Sequence, residues 1–338
     1  MALREMAIGK GDIVLLPAYH SMSMVGALLH SGAQPVLYKI HPDTSVDLDD
    51  VALKLNAKSR AIIVIHYFGF AQRLHELRAF CDSHGLLMLE DCAHCFFGQF
   101  AGRPAGAWGD YAIGSTMKCF PVYDGGCLLS FMHALRSPRP ESAGVAFEAK
   151  AALNMLERAF TYRRLQVLHS VLWIPLRLKQ ALTRKKTRPP LGPASSDSSS
   201  DFEPCWLDQR ASYFSRIVVR FSAHDRIVSR RRDNYRTLER AVETLPHCRA
   251  LFPSLPDGVC PWMVPVLFDH PDAVFRRLRD EGVPMTRYGY RASLPAGGDI
   301  CTASAALSRS VIAFPCHQAL RDDEMAWMIA MLHKVLAT

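Results

Sequence analysis

The chain has 338 residues, enough for one large and one smaller domain around a sizeable buried core. Hydrophobic residues make up 49% and charged residues 21%, the balance of a soluble globular protein, and the most apolar stretch, 167–176, is too short and too interrupted by His169, Ser170 and Pro175 to span a bilayer. The net charge of +8 is local: residues 158–188 carry nine Lys/Arg and no acid, so the remainder sums to −1, which argues against a uniformly nucleic-acid-binding surface.

The N-terminal MALREMAIGKGD lacks the apolar core and cleavage site of a secretory signal. The ten cysteines are scattered without a paired framework, so a reducing cytosol is the expected compartment. From Gly11 to Ser130 short apolar, β-branched runs alternate with helical stretches. DIVLLP, PVLYKI, AIIVIH, LLMLED, YAIGS and GCLLS read as six strands. Between them, 71–84 shows a helical apolar face at Leu74, Leu77, Ala79, Phe80 and Cys81. Such alternation implies a mostly parallel sheet with helices on both sides, and ligands in these sheets bind at the carboxyl ends of strands. The pattern turns long and helical over 148–186. The Pro/Ser/Gly-rich stretch 187–204 reads as a linker or long surface loop. After it come two helical stretches, the strands MVPVLF and SVIAF, and a final helix over 322–336, together a small α+β domain. The expected organisation is a large domain over 1–135, a basic helical insertion and linker over 136–204, and a small domain over 205–338.

Two places carry chemistry. The strand LLMLED ends in Glu90 and Asp91, and a carboxylate at the tip of a central strand sits where a ligand would; solvated acids at a strand end are the plainer reading. In YAIGSTMK, Lys118 follows Ser115 and Thr116 in an otherwise apolar stretch. It is a candidate Schiff-base amine, against the commoner fate of an exposed loop lysine. The two together say more than either alone. Pyridoxal phosphate needs an amine to form its imine and a carboxylate to keep its pyridine nitrogen protonated, so that the ring can act as an electron sink.

At this point the text resembles the DegT/DnrJ/EryC1/StrS family of sugar aminotransferases. The resemblance runs through GDIVLLPAYHSM, HSGAQPVLYKIHPDT, SRAIIVIHYFGF, HGLLMLEDCAHCFFG and GRPAGAWGDYAIGSTMK with DGG, and more weakly through FPCHQALRDDEMAWMI. It implies an α/β protein of the fold type I pyridoxal-phosphate-dependent transferase class. It implies Lys118 as the Schiff-base lysine and proton-moving base, Asp91 on the pyridinium nitrogen, His94 against the ring hydroxyl, and Ser115, five residues after Asp110, on the phosphate. The family uses an amino-acid donor and a nucleotide-linked keto-sugar, and it is dimeric. The expected function is therefore transamination of a nucleotide-sugar in polysaccharide or surface-glycan biosynthesis, by a homodimer that does not bind nucleic acid.

Three departures bear on that. Family members carry a further strand and a Ser-Gly-Thr phosphate segment ahead of the point matching Met1, so half the phosphate site is expected to be missing and a sheet edge exposed. Ser21 falls where the family has a ring-stacking aromatic, with Tyr19 and His20 beside it, and His20 is carried as the stand-in. The segment between Ser115 and Lys118 is shorter than the commonest family form. A catalytically impaired, dimeric scaffold is the competing reading. It would dock at the inner membrane surface through 158–188, whose apolar stripe beside arginines and lysines suits an anionic membrane; packing of that helix on its own domain or dimer mate is the plainer reading. Dehydration in place of transamination is weaker still, because members that dehydrate carry histidine where Lys118 stands. Tyr67, Tyr288 and Arg287 are further pocket candidates. Cys92, His94 and Cys95 are spaced too tightly for a shared tetrahedral site, and no metal is expected.

Overall fold

A computed structural model describes residues 1–137, 139–161, 202–289 and 301–337. All six N-terminal runs are strands: β1 (Ile13–Pro17), β2 (Gln34–Tyr38), β3 (Ser59–Ile65), β4 (Leu87–Cys92), β5 (Tyr111–Ser115) and β6 (Gly126–Leu129). They form one sheet in the order β2-β1-β3-β4-β5-β6, parallel throughout except that β6 runs antiparallel to β5. Within the described residues β6 pairs on one side only, so the sheet ends on the strand that follows Lys118.

Alternation along the strands sorts the core into two layers. Val14, Leu16, Ala61, Ile63 and Leu89 face α1 (Met22–Ser31), which presents Val25 and Leu28. Leu15, Ile62, Val64 and Met88 face the other way, toward Leu74, Leu77 and Cys81 of α3 (Leu74–His84) and on to the C-terminal domain. Ala79, expected on that helical face, is exposed. The helix therefore buries a narrower stripe than its sequence suggested. The helix α2 (Leu48–Lys54) covers β2 and is capped by Asp47, whose carboxylate accepts from Asp50 N.

The C-terminal domain is built on an antiparallel sheet, β7 (Cys248–Ala250), β8 (Met263–Phe268) and β9 (Val311–Pro315). Helices α7 (His224–Glu243), α8 (Pro271–Asp280), α9 (Thr302–Ser310) and α10 (Asp322–Leu336) surround it. Between the two sheets in sequence lie α5 (Val145–Thr161) and α6 (Tyr213–Phe221). Most of the basic segment, and with it the membrane reading of 158–188, lies outside the described residues. Among the described residues no helix is long and apolar enough to cross a membrane.

Glu90 shows how the middle of the large sheet is held. It is fully buried, and its carboxylate accepts from Trp108 N, Gly109 N and His66 Nε2, the last at 2.9 Å. Burial pushes its pKa up, but the His66 bond and charge and the two amides outweigh that and leave it below the usual carboxylate value. A carboxyl group with a depressed folded pKa stabilises the fold above its unfolded pKa, and that contribution is lost as pH falls through the lower folded value. Glu90→Gln must turn its amide towards one of three donors. It should cost about 1–3 kcal/mol at neutral pH, and the gap from the parent should close as pH drops below 4 in an acid-denaturation series. Equal stability of the two proteins at pH 7 would contradict this.

Candidate functional site

Lys118 sits on a single helical turn, α4 (Thr116–Cys119), placed directly after β5, with Ser115 as its N-cap. The turn is pinned from below. Thr116 Oγ1 donates to the carbonyls of Asp124 and Gly125, at 2.9 and 2.7 Å. Gly125 has φ +108°, and a Cβ there would meet Thr116 Oγ1 at 2.6 Å, so the Gly-Gly turn is what lets β6 return this close. Asp124 in turn accepts from Ser212 and Ser215 at the start of α6.

Asp91 occupies the end of β4, beside β5 in the sheet, and is buried. One oxygen accepts from Ala93 N at 2.8 Å; among the described residues the other takes no hydrogen bond. Burial raises its pKa, and the positive charge of Lys118 pulls it back. The acid and the amine thus stand in each other's field. His94 feels the same lysine: burial first, then Lys118, holds its pKa well below the usual value, so its ring is neutral. Its Nδ1 accepts from Phe68 N at 3.2 Å, which leaves the proton on Nε2.

Trp262 joins these groups. Its indole stacks on His94 with centroids 4.1 Å apart, and Lys118 Nζ lies 4.6 Å over it. Its backbone N–H donates to Phe68 O, tying β8 to the loop after β3. Trp262, which the sequence reading did not single out, thus brings an aromatic ring to His94 from far along the chain. His20 lies just beyond the end of β1, two strands from β4, with Nδ1 donating to Pro17 O at 2.9 Å.

Arg231 is the second residue the sequence reading missed. It is 2% exposed. It donates to Lys118 O at 2.8 Å, to Pro261 O and Trp262 O at 3.2 Å, and to Gln318 Oε1 at 2.9 Å. Gln318 Nε2 donates to Cys119 O at 2.8 Å. Among the described residues no carboxylate pairs with it. The signal was present in α7: Arg231 interrupts an apolar stripe of Ile227, Tyr235, Leu238 and Val242, and a charged residue in such a stripe is buried for a reason.

A cavity of about 900 Å³ opens beside Lys118. Lys118, Arg231, Trp262, His317 and Gln318 supply its polar rim. Met155 and Leu156 of α5, Phe214 and Val218 of α6 and Ile227 of α7 supply an apolar wall. Asp91, His94, Ser115 and His20 do not line it, so Lys118 alone of the five predicted residues faces both the buried acid's field and the open space. Tyr67 is a packing residue, its hydroxyl donating to Tyr19 O. Tyr288 packs edge-on against His94 at 5.0 Å. Arg287 is buried over Phe275 and paired with Asp272 at 2.7 Å, away from the cavity.

The residues present can be tested against pyridoxal phosphate. Asp91 offers a buried carboxylate oxygen without a donor, which suits a ring N–H⁺. Lys118 offers the amine. Ser115 Oγ makes no hydrogen bond among the described residues and remains available to a phosphate, whereas Thr116 Oγ1 is committed. Lys118, Asp91 and Ser115 are the donor and acceptor types the group needs, and of the three only Lys118 lines the cavity.

Residues 1–135 match the model of the DegT/DnrJ/EryC1/StrS aminotransferase family. GDP-perosamine synthase of Vibrio cholerae is 32% identical over 133 residues, 38% of this chain and 36% of that protein. The dTDP-4-dehydro-2,3,6-trideoxy-D-glucose 4-aminotransferase of Saccharopolyspora spinosa is 32% identical over 129 residues, 37% of this chain and 34% of that one. The matched segment spans about a third of the length of these curated relatives. Among solved structures, an aminotransferase from Psychrobacter cryohalolentis aligns over 99% of this chain and 84% of its own, with TM-score 0.70 and 17% identity. The aminotransferase TlmJ from Streptoalloteichus hindustanus aligns over 99% and 82%, with TM-score 0.68 and 22% identity. At those identities the likeness establishes the fold alone, an α/β architecture with a mostly parallel central sheet.

Proposed function

We propose that this protein, whose residues 1–135 match the model of the DegT/DnrJ/EryC1/StrS aminotransferase family, is a pyridoxal-phosphate-dependent aminotransferase. Its amino donor would be an amino acid, its acceptor a nucleotide-linked keto-sugar, and its setting polysaccharide or surface-glycan biosynthesis, as a homodimer. The observation that carries the reading is that Lys118, which lines a large cavity, stands within electrostatic reach of the buried Asp91 on the adjacent strand.

When bound, the cofactor supplies an electron sink that makes the carbon next to an amino group acidic. Asp91 would hold a proton on the ring nitrogen, in a site where burial excludes the water that would compete for it. Ser115 would donate to the phosphate. His94, neutral and with its proton on Nε2, would donate to the ring oxygen. Lys118 would attach through Nζ, and once displaced by substrate the same amine would carry the proton between carbon atoms. Arg231 acts on none of the reacting atoms; it sets where the Lys118 backbone stands.

Asp91→Asn separates these roles. The amide keeps the shape but not the charge, so Lys118 should still attach the cofactor while turnover falls by about 10²–10³-fold. Retention of full turnover would remove Asp91 from the mechanism. The whole reading is tested by loading the protein with pyridoxal phosphate, adding glutamate, and following the formation of 2-oxoglutarate, then supplying nucleotide-linked keto-sugars. No keto acid from any of the common amino acids would overturn it.

A further inference from the structure

A second cluster lies on the opposite face of β4 from Asp91, independent of the transamination reading. Alternation along the strand turns Glu90 and Cys92 away from Asp91. His66, just beyond the end of the neighbouring β3, meets them there. Cys92 and Cys95 are the first and fourth residues of a β-turn closed by Cys95 N donating to Cys92 O at 3.1 Å. One ligand-forming atom from each of His66, Cys92 and Cys95 lies within 4.8 Å of the others, and all three residues are buried. The sequence reading grouped these two cysteines with His94. In the structure His94 points to Trp262, and Cys92-Ala93-His94-Cys95 is itself a Cys-x-x-Cys spacing.

A turn of this kind holds its end Cα atoms within about 7 Å, the separation a disulfide requires. We propose that Cys92 and Cys95 form an oxidisable dithiol that a small hydroperoxide closes to a disulfide. The Cys92 thiolate attacks one oxygen of hydrogen peroxide. The O–O bond breaks, the departing hydroxide leaves as water, and Cys92 carries S–OH. Cys95 then attacks that sulfur, the S–O bond breaks, and the oxygen departs as a second water with the Cys95 proton. Two thiols lose two electrons and two protons, and one peroxide becomes two waters.

The surroundings favour Cys92 as the attacking sulfur. A hydrogen bond from Cys95, with help from His66 and against the effect of burial, lowers its pKa to about 7. Burial pushes Cys95 well above the usual thiol value. Glu90, fixed by two backbone amides, holds His66 in place. Cys92 is 5% exposed and Cys95 is fully buried. That access suits a small neutral oxidant and excludes a bulky disulfide. The same turn carries His94, so closing it would tether the ring that stacks on Trp262.

The test uses the full, reduced chain. It is treated with one equivalent of hydrogen peroxide, unfolded, alkylated, and cut with trypsin. The fragment 79–118 contains Cys81, Cys92 and Cys95. The expected result is loss of alkylation at Cys92 and Cys95 at least about tenfold faster than at Cys81, reversed by dithiothreitol, with Cys95→Ala trapping dimedone on Cys92. Oxidised glutathione should leave both thiols intact. Alkylation persisting at both after peroxide overturns the proposal. Equal oxidation by the bulky disulfide overturns the small-oxidant assignment. So does protection that disappears when a chelator removes one equivalent of zinc, which would make the cluster a metal site.

Discussion

Lys118→Ala, mixed with pyridoxal phosphate, shows only the absorbance of free cofactor, and its transamination rate falls by at least about 10³-fold. The magnitude follows from two losses. Proton transfer by a positioned side chain contributes about 10²–10⁴-fold on its own, and the attachment that orients the cofactor goes as well. Among the described residues no second lysine lines the cavity. The cavity wall opposite Lys118 is apolar, and its other basic residues are guanidiniums and His317. The fold should survive the change, because the turn is held by Thr116 Oγ1 and by the backbone carbonyls of residues 118 and 119, which accept from Arg231 and Gln318, and alanine keeps those bonds. An unchanged visible spectrum would leave Lys118 without its role.

Arg231→Met lowers the thermal midpoint by roughly 5–10 °C, corresponding to about 2–4 kcal/mol. Three carbonyls and one side-chain amide oxygen lose their donor inside the protein, and unpaired buried acceptors cost about 1–3 kcal/mol each before relaxation. Part of this is recovered, because methionine removes a buried charge that no acid among the described residues neutralises. Arg231→Lys should recover little: an ammonium has three donors and cannot span oxygens on Lys118, Trp262 and Gln318 with a planar fork. The variant also separates position from chemistry. At temperatures where it is folded, attachment of cofactor to Lys118 should slow while the pH profile of attachment keeps its shape. A methionine variant as stable as its parent would show that the guanidinium braces nothing.

The large sheet was legible because its signals are local. The strands are short, largely apolar runs, and strand–helix alternation leaves few ways to stack them. The placement of Asp91 and Lys118 at the ends of adjacent strands was legible for the same reason. What was not legible comes from far along the chain. Trp262 reaches His94 from β8, and Arg231 reaches Lys118 across 113 residues. Nothing in the local text of CPWMVPV or RIVSRRRDNYR says which loop it will meet. His66 and the Cys92–Cys95 turn were missed differently. The cysteines were grouped with His94, and His66, just beyond the end of the neighbouring strand, is found only from the register that sets Ile65 beside Asp91. Ala79 failed because helical periodicity marks a face without saying how wide a stripe the sheet will cover.

The most direct test is to incubate the protein with pyridoxal phosphate, reduce the linkage with borohydride, and map the modified peptide by mass. The account predicts the cofactor's mass on Lys118 at close to one per chain, with Asp91→Asn retaining it. Label spread over surface lysines with Lys118 bare would contradict it.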